Sequence, residues 1–194
     1  MPQITRIVAG KRNPERANIY LDGKFSFAIS LETVLREHLK KGLELSAEQV
    51  SAYQAGDAEA KVYGKILNFL SYRPRSVKET RDRLREYLVG GDQKEIEGIL
   101  DKLVREGYLS DMEFAKWFAA SRAGNRPRSR RQLLAELAGK GIAREVISEV
   151  LPTNDNAALK SLIARHKGYS REKLVSYLAR KGFSYADIVA ALEE

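Results

Sequence analysis

The chain has 194 residues, a formal net charge of +8 and a sequence pI of about 9.6. Its length and its 43% hydrophobic residues suit one domain, or two small ones, with a buried core. The sequence contains no cysteine, which excludes disulfide frameworks, iron–sulfur clusters, thiolate metal sites and cysteine nucleophiles. No apolar run approaches the roughly 20 residues that cross a bilayer, so we expect a cytoplasmic protein without membrane contact. The excess of positive charge favours an anionic partner.

The N-terminal region contains short runs typical of β-strands, at 4–8, 17–21 and 25–29. Asp22-Gly23 separates the last two runs, and Asp-Gly in this setting is typical of a two-residue hairpin turn in which both residues have positive φ. Asn13-Pro14 is expected to break the chain between the first two runs. These signals predict a small antiparallel sheet, which must pack against another element to be stable.

From about Leu31 onward the pattern changes to short amphipathic helices with recognisable N-terminal caps. Each cap is a serine or aspartate three residues before an acid or an amide, so that its oxygen can accept a hydrogen bond from a free backbone N–H. The predicted caps are Ser46, Ser76, Asp92, Ser110, Ser129 and Ser184. Apolar residues spaced three and four apart, as at Ile96, Ile99 and Leu103, indicate the buried faces of these helices.

The chain also repeats itself. Arg-Pro-Arg-Ser at 73–76 recurs at 126–129, and a looser Lys-Gly-Tyr-Ser follows at 167–170. When the serines are aligned, Leu84, Leu137 and Leu178 fall in register. Each unit reads as helix, basic turn, capped helix, turn and helix, and small units of this kind stack on one another to bury their apolar faces.

We therefore predict a mainly α fold. Three tandem three-helix repeats, similar to helix-turn-helix units, form an elongated array after a small N-terminal antiparallel β region. The predicted domains are the β region with its linking helices at 1–57 and the repeats at 58–109, 110–153 and 154–194.

Little in the sequence supports catalysis. It has no phosphate-binding glycine loop, no His-Glu-x-x-His and no Gly-x-Ser-x-Gly. His38 and His166 lie in lysine-rich stretches, so we interpret both as solvated surface residues. The acids between Asp101 and Glu113 are interpreted as solvent-face charges or helix-start residues rather than metal ligands. We expect no enzymatic activity, no cofactor and no metal site.

The positive charge is segregated along the chain. The segments 121–144 and 160–181 each carry a net charge of +6, whereas 92–113 carries −4. Many of the bases flank predicted helix starts, where the helix dipole disfavours cations. Backbone N–H groups, a cap hydroxyl and adjacent arginines could together bind phosphate or carboxylate there. The alternative is that Arg-Pro-Arg-Ser is a helix-start sequence inherited by duplication, which explains its proline and serine but not its arginines.

We therefore predict a partner-binding or nucleic-acid-binding face made of the bases in the recurring turns. Its residues are Arg73, Arg75, Lys78, Arg126, Arg128, Arg130, Arg131, Lys167, Arg171 and Lys173. Several aromatic residues, Tyr169 and Tyr177 among them, lie beside bases and could stack on nucleic-acid bases. Phe114, Trp117 and Phe118 share one helix face and are interpreted as core.

Some of these segments resemble the RecX family of bacterial recombinase regulators. The resemblance rests on 73–79, on Gly-Tyr-Leu-Ser-Asp-Met-Glu-Phe-Ala at 107–115 and on the tail 178–183, and it covers the chain from about residue 58 onward. It implies a non-enzymatic modulator that binds the RecA recombinase filament on single-stranded DNA, and we expect this chain to be a monomer. Such a protein would limit filament extension, strand exchange and coprotease activity. The third unit departs from the pattern at 168–170.

A direct DNA-binding protein is the alternative. A trihelical unit with a basic helix can also enter the major groove of a duplex. Weak DNA binding is compatible with both functions and does not separate them.

Overall fold

A computed structural model describes residues 1–11, 13–88, 90–123 and 127–193. The chain divides into two compact units, Met1–Lys65 and Ile66–Glu194. The strands are β1 (Ile4–Ala9), β2 (Arg16–Leu21) and β3 (Lys24–Ser30), and the helices are α1 (Leu31–Arg36), α2 (Ala47–Ser71), α3 (Val77–Tyr87), α4 (Gln93–Arg105), α5 (Asp111–Ala123), α6 (Arg130–Gly139), α7 (Arg144–Val150), α8 (Asn156–Arg165), α9 (Arg171–Arg180) and α10 (Tyr185–Glu193).

The N-terminal strands form the predicted antiparallel sheet, in the order β1-β2-β3. Asp22 and Gly23 connect β2 to β3 with φ angles of 47° and 83°. Positive φ at both positions is what a type I′ hairpin turn requires, so the hairpin prediction is confirmed. In the register of this hairpin, Ile19 pairs with Phe27, and both side chains are fully buried.

The sheet packs against α2 through apolar and ionic contacts. The rings of Phe27 and Tyr53 stack with their centroids 5.2 Å apart. Asp57, which is only 4% exposed, accepts hydrogen bonds from Arg16 at 2.7 Å, from Lys61 at 2.9 Å and from the Ala28 N–H at 3.0 Å. Burial alone would raise the pKa of Asp57, but these hydrogen bonds and the charge of Lys61 outweigh it and lower the pKa. Asp57 thus joins α2 to the edge strand β3.

The predicted helix caps are confirmed. Each one accepts a hydrogen bond from a backbone N–H in the first turn of its helix: Ser46, Ser76, Asp92, Ser110, Ser129 and Ser184. At α2 the arrangement is reciprocal, because the Gln49 side chain also accepts from the Ser46 N–H at 2.8 Å. Local side-chain chemistry therefore determines where these helices begin.

The unit Ile66–Glu194 contains tandem three-helix units, so the predicted fold class is confirmed. Helices α5, α6 and α7 enclose one apolar core, which includes Phe114, Phe118 and Leu137. Helices α8, α9 and α10 enclose another, around Leu159 and Leu178. The domain limits at 57, 109 and 153 stay a prediction.

None of the described helices combines the length and the apolar character that a membrane crossing requires.

Trp117 departs from the core prediction that holds for Phe114 and Phe118. The two phenylalanines are 0% and 6% exposed, whereas Trp117 is 36% exposed. The guanidinium of Arg73, from the preceding unit, lies 5.3 Å from the centre of the Trp117 ring. Helical spacing places these residues close together but does not show that a cation from another repeat covers the tryptophan.

Two glycines bring successive three-helix units close together. Gly141 follows α6 with a φ of +82°, and a Cβ atom there would lie 2.9 Å from the Cβ of Lys78 on α3. Gly182 follows α9 with a φ of +81°, and its Cβ would lie 3.0 Å from the Oγ of Ser129, the cap of α6. The turn after the middle helix of one unit thus packs against the start of the middle helix of the unit before it.

Replacing Gly141 by alanine should destabilise the protein by about 1–2 kcal/mol, because the position combines left-handed backbone with a close approach to Lys78. Gly98→Ala is the matched control, since Gly98 lies inside α4 with open space around its Cβ position. The control should stabilise by about 0.5–1 kcal/mol. Urea unfolding measures both, and equal effects of the two variants would contradict this account of Gly141.

Candidate partner interface

The start of α3 is bound by residues of the following unit. The Ser76 Oγ accepts a hydrogen bond from the Glu79 N–H at 3.1 Å and donates one to the carbonyl of Lys140 at 2.9 Å. A carboxylate oxygen of Asp111, the first residue of α5, accepts a hydrogen bond from the Val77 N–H at 2.8 Å. We call this set of contacts the first joint.

The same chemistry recurs at the start of α6, where it forms the second joint. The Ser129 Oγ accepts a hydrogen bond from the Gln132 N–H at 3.3 Å and is packed beneath Gly182. Asp155, which immediately precedes α8, accepts one from the Arg130 N–H at 2.6 Å. The anion-binding positions that the sequence suggested at these two helix starts are therefore occupied by carboxylates of the chain itself.

Burial changes the acidity of the joint carboxylates. It raises the pKa of Asp111 above its ordinary value, although the hydrogen bond from Val77 and the charge of Arg81 act in the opposite direction. Burial likewise raises the pKa of Asp155, with a further contribution from the negative charge of Asp187. Glu79 behaves differently, because its hydrogen bonds to Arg73 and Lys140 outweigh its burial and lower its pKa.

The predicted site residues of the first repeat lie beside the first joint and are bound to other groups of the chain. Both terminal nitrogens of Arg73 donate to Glu79, at 3.0 and 3.3 Å. The Lys78 ammonium donates to the carbonyl of Gly139 at 2.9 Å. The Arg75 guanidinium lies 4.0 Å from the centre of the Phe69 ring. Lys78 thus contacts the second unit, as Arg73 does through Trp117, whereas Arg75 packs within the first unit. These contacts limit what the three side chains can offer to a partner.

The predicted residues of the second repeat divide into two groups. Arg130 donates from its Nε to the Pro152 carbonyl at 3.0 Å, and the Arg128 Nε lies 3.6 Å from a carboxylate oxygen of Glu136. Arg131 is exposed and lines an open cavity of about 360 Å³ together with Asp187. Arg126 lies outside the described residues.

The predicted residues of the third repeat, Lys167, Arg171 and Lys173, are all exposed. Ser170 caps α9 through the Lys173 N–H at 3.3 Å but is itself exposed. At the start of α9 a carboxylate oxygen of Glu193 lies 3.8 Å from the Arg171 guanidinium, whereas at the start of α6 Asp155 accepts a hydrogen bond from the Arg130 backbone N–H. The structure therefore does not bring all the predicted bases together, and the unit whose motif departs most from the pattern presents them most openly.

A basic and aromatic cavity adjoins this third unit. Its volume is about 270 Å³, and its lining includes Arg128, Leu162, Arg165, His166, Tyr177 and Lys181. The ring of His166 lies 4.6 Å from that of Tyr177 and 4.9 Å from that of Tyr169, measured between centroids. The prediction that His166 is a solvated surface residue is therefore wrong, because the turn after α8 folds its ring against two tyrosines and half-buries it.

Arg165, His166, Tyr177 and Lys181 are not among the site residues predicted from the sequence. One signal was available in α9 and the residues that lead into it. A tyrosine precedes a lysine by four residues at Tyr169 and Lys173 and again at Tyr177 and Lys181, and residues so spaced meet on one helix face. Both pairs form cation–π contacts, with the ammonium 4.3 and 5.7 Å from the ring centre.

No group of three or more histidine, aspartate or glutamate residues that could hold a metal ion occurs among the described residues. Tandem three-helix units joined at their helix starts, preceded by a small sheet and bearing exposed cations, define a helical-repeat protein with the character of a binding module. Comparison with known proteins gives the family.

Family models of three RecX domains match the chain. The Regulatory protein RecX N-terminal domain matches residues 2–46, the first RecX three-helix domain matches 63–103, and the second matches 110–151. Regulatory protein RecX of Bacillus licheniformis is 36% identical over 100% of this chain and 78% of that protein. Regulatory protein RecX of Bacillus subtilis is 34% identical over 100% of this chain and 77% of that protein.

Solved structures agree with this assignment. A crystal structure of regulatory protein RecX matches at a TM-score of 0.76 with 26% identity and covers 100% of both chains. The crystal structure of RecX from Lactobacillus salivarius matches at 0.60 with 25% identity, over 71% of this chain and 96% of that one. The chain belongs to the RecX family of regulatory proteins, as its motifs indicated.

The carboxylates of the first joint should give opposite pH dependences of stability. The folded-state pKa of Glu79 is lowered, so its contribution is present above about pH 4.5 and is lost as the pH falls through the folded-state value. The folded-state pKa of Asp111 is raised, so the protein loses stability relative to the Asp111→Asn variant as the pH rises from about 3.8.

Urea unfolding of the unsubstituted chain, Glu79→Gln and Asp111→Asn between about pH 3 and pH 7 measures both effects. The free energy of unfolding of the unsubstituted chain, minus that of the variant, should rise with pH for Glu79→Gln and fall with pH for Asp111→Asn. The same sign for both variants would contradict the pKa shifts assigned to this joint.

Proposed function

We propose that this chain regulates the RecA recombinase by binding its filament on single-stranded DNA, where it limits filament extension, strand exchange and coprotease activity. It acts as a monomer and without catalysis of its own. Membership of the RecX family supports the regulatory role. The observation that carries the proposal for the interface is the exposure of the third-repeat bases, while Arg73, Lys78 and Arg130 of the first two repeats hydrogen-bond to groups of the chain itself.

An exposed cluster of cations suits a partner that carries phosphates. A nucleoprotein filament on single-stranded DNA presents a high density of negative charge, and neutralising it releases condensed counterions. Lys167, Arg171 and Lys173 lie within seven residues of one another in sequence and surround the start of α9. We assign the main contact with the filament to this basic end, which we define by these three residues.

The remaining predicted bases have a secondary role in this proposal. Arg131 is exposed and can add to the contact, whereas Lys78 spans two repeats through its hydrogen bond to the Gly139 carbonyl. The other described bases chiefly contact groups of their own repeats: Arg73 contacts Glu79, Arg75 contacts Phe69, Arg128 contacts Glu136 and Arg130 contacts Pro152. Arg126 is assigned to the interface from sequence alone.

The alternative of a direct duplex-DNA binder with tandem helix-turn-helix units is disfavoured by the charge of its recognition helices. In a three-helix unit the third helix, here α4 or α7, enters the major groove. Helix α4 carries three acids against three bases and α7 two acids against one base, so neither presents the excess of positive charge that phosphates attract. Sequence-selective binding to duplex DNA in the absence of the recombinase would favour the alternative.

Reversing two charges of the basic end tests the proposal. The double variant Arg171→Glu/Lys173→Glu should lower co-sedimentation with RecA filaments on single-stranded DNA at least tenfold and abolish inhibition of strand exchange. It should not unfold α9, because acids are favourable in the first turn of a helix and the Lys173→Glu change would complete a capping box with Ser170. Circular dichroism checks the helix content.

Lys94→Glu/Arg144→Glu is the matched control. It makes the same change in net charge, and both residues are exposed and lie in the first turns of α4 and α7. The control should inhibit strand exchange nearly as well as the unsubstituted chain. Equal inhibition by the two double variants would overturn the assignment of the basic end, and no co-sedimentation of the unsubstituted chain would overturn the function.

A further inference from the structure

The strand β1 lies at one edge of the N-terminal sheet, because the strand order is β1-β2-β3. Successive residues of an edge strand alternate, so that one directs its backbone groups toward the neighbouring strand and the next directs them out of the sheet. Gly10, which follows β1, donates from its N–H to the Arg16 carbonyl of β2 at 2.6 Å. In the register of this pair, the N–H and carbonyl groups of Ile7 and Ala9 therefore point out of the sheet.

Residues 42–45, which we call the covering segment, pair with the beginning of this edge. Ile4 donates from its N–H to the Leu43 carbonyl at 2.8 Å and accepts a hydrogen bond from the Gly42 N–H at 2.8 Å. The pairing at Gln3 is antiparallel. A short antiparallel segment of the chain thus adds to β1 through backbone hydrogen bonds, and its cover ends at the bulge that follows Ile4.

The remainder of the edge is free. Within the described residues, the outward N–H and carbonyl groups of Ile7 and Ala9 have no hydrogen-bond partner, which leaves two donors and two acceptors in a row. Val8 between them is 40% exposed, and Ala9 is exposed as well. An exposed edge of this kind is a template for another strand, and many domains bind extended peptides by adding them to a sheet.

The charge around the free edge selects its partner. Residues 1–14 contain no acid, whereas Arg6 and Lys11, at the two ends of the free part, are exposed. Lys40 and Lys41, which precede the covering segment, are exposed too. Like charges that face one another destabilise a strand pair. These residues therefore oppose pairing with a second copy of β1 and favour an acidic strand.

Two acids of this unit lie at the other part of the edge. Asp22 accepts a hydrogen bond from the Gln3 N–H at 3.0 Å, and Glu44 forms the bridge with Gln3. Both therefore adjoin the part that the covering segment already occupies, and the free part keeps its positive surroundings.

We propose that the free edge of β1 is a docking site for an extended acidic segment of a protein partner, which adds to the sheet as an antiparallel strand. The partner strand continues the line of the covering segment and bonds to Ile7 and Ala9. An apolar residue of the partner lies opposite Val8 and an acid lies opposite Arg6, because side chains that face one another across two strands interact. The site lies in the unit Met1–Lys65 and goes beyond the proposed function, since it uses no residue of the basic end.

The test is an NMR titration of the full chain, labelled with nitrogen-15, with the peptide acetyl-Glu-Thr-Val-Val-Ile-Glu-amide. In the proposed register its last four residues lie opposite residues 9 to 6 in turn. The amide signals of Ile7 and Ala9 should shift, and their hydrogen exchange should slow about twofold at half-saturation, because only the free half of the molecules then exchanges. A peptide with both glutamates replaced by lysine should bind about fivefold more weakly.

Two matched comparisons isolate the backbone pairing. N-methylation of the third and fifth peptide residues removes the donors that face β1 and should abolish binding, whereas N-methylation of the second and fourth residues should preserve most of it. In the chain, Ala9→Pro removes one outward N–H and leaves the bonds to β2 intact, and edge strands tolerate proline. Ala9→Pro should weaken binding about fivefold, whereas Ala9→Val, which keeps the N–H, should not.

A charge reversal tests the selection of an acidic partner. Arg6→Glu should remove the preference for the glutamate peptide over the lysine peptide, because it places an acid opposite the acid of the partner. Lys24→Glu is the matched control, since Lys24 is exposed and begins β3 at the opposite edge of the sheet. The control should keep the preference.

The outcomes are distinct. Unchanged amide signals of Ile7 and Ala9 at about 5 mM of the glutamate peptide would overturn the site. Equal binding of the lysine peptide would overturn the acidic partner. Protection of the same amides in the free chain that grows with its concentration, with a dimer in analytical ultracentrifugation, would make a second copy the occupant and overturn the proposal. None of these measurements contains the recombinase, so a failure here is distinguishable from a failure of the proposed function.

Discussion

The structure of the three-helix units depends on how the free N–H groups at the starts of α3 and α6 are satisfied. The first N–H groups of a helix have no acceptor within the helix, and burying them without partners costs free energy. Ser76 and Ser129 satisfy one group at each start, and Asp111 and Asp155 of the following units satisfy another. Each middle helix is thus completed by the next repeat, which links local helix formation to the stacking of the units.

The structure gives two of the recurring arginines an acidic partner within the chain. The caps contact the glycine turns of the next unit. Arg73 of the first tetrapeptide donates hydrogen bonds to Glu79, and Arg128 of the second lies 3.6 Å from a carboxylate oxygen of Glu136. Cations are disfavoured near a helix start by about 1 kcal/mol or less, and a carboxylate or carbonyl at hydrogen-bond distance offsets that penalty. The duplicated element is therefore larger than a helix start. It is a joint, because each cap also contacts the following unit.

The two joints determine which charges are available to a partner. The third unit repeats the serine cap at Ser170, and the bases around it, Lys167, Arg171 and Lys173, are exposed. A binding face can therefore be concentrated there without weakening the stacking of the other units. Beside it, the turn after α8 folds His166 against Tyr169 and Tyr177. In the proposed function, the first two basic turns therefore serve stability and the third serves recognition.

The sequence by itself determined the local structure of this protein. Asp22-Gly23 indicated the hairpin, cap residues such as Ser76 and Ser129 indicated the helix starts, and the recurring tetrapeptide indicated the repeats, because each of these signals acts within a few residues. Only the tertiary structure decided which bases are bound in joints and which are exposed. That outcome depends on contacts such as the hydrogen bond from Ser76 to Lys140, which joins residues 64 apart in sequence. A local sequence pattern cannot predict such a contact, because the contact forms only when one unit packs on the next.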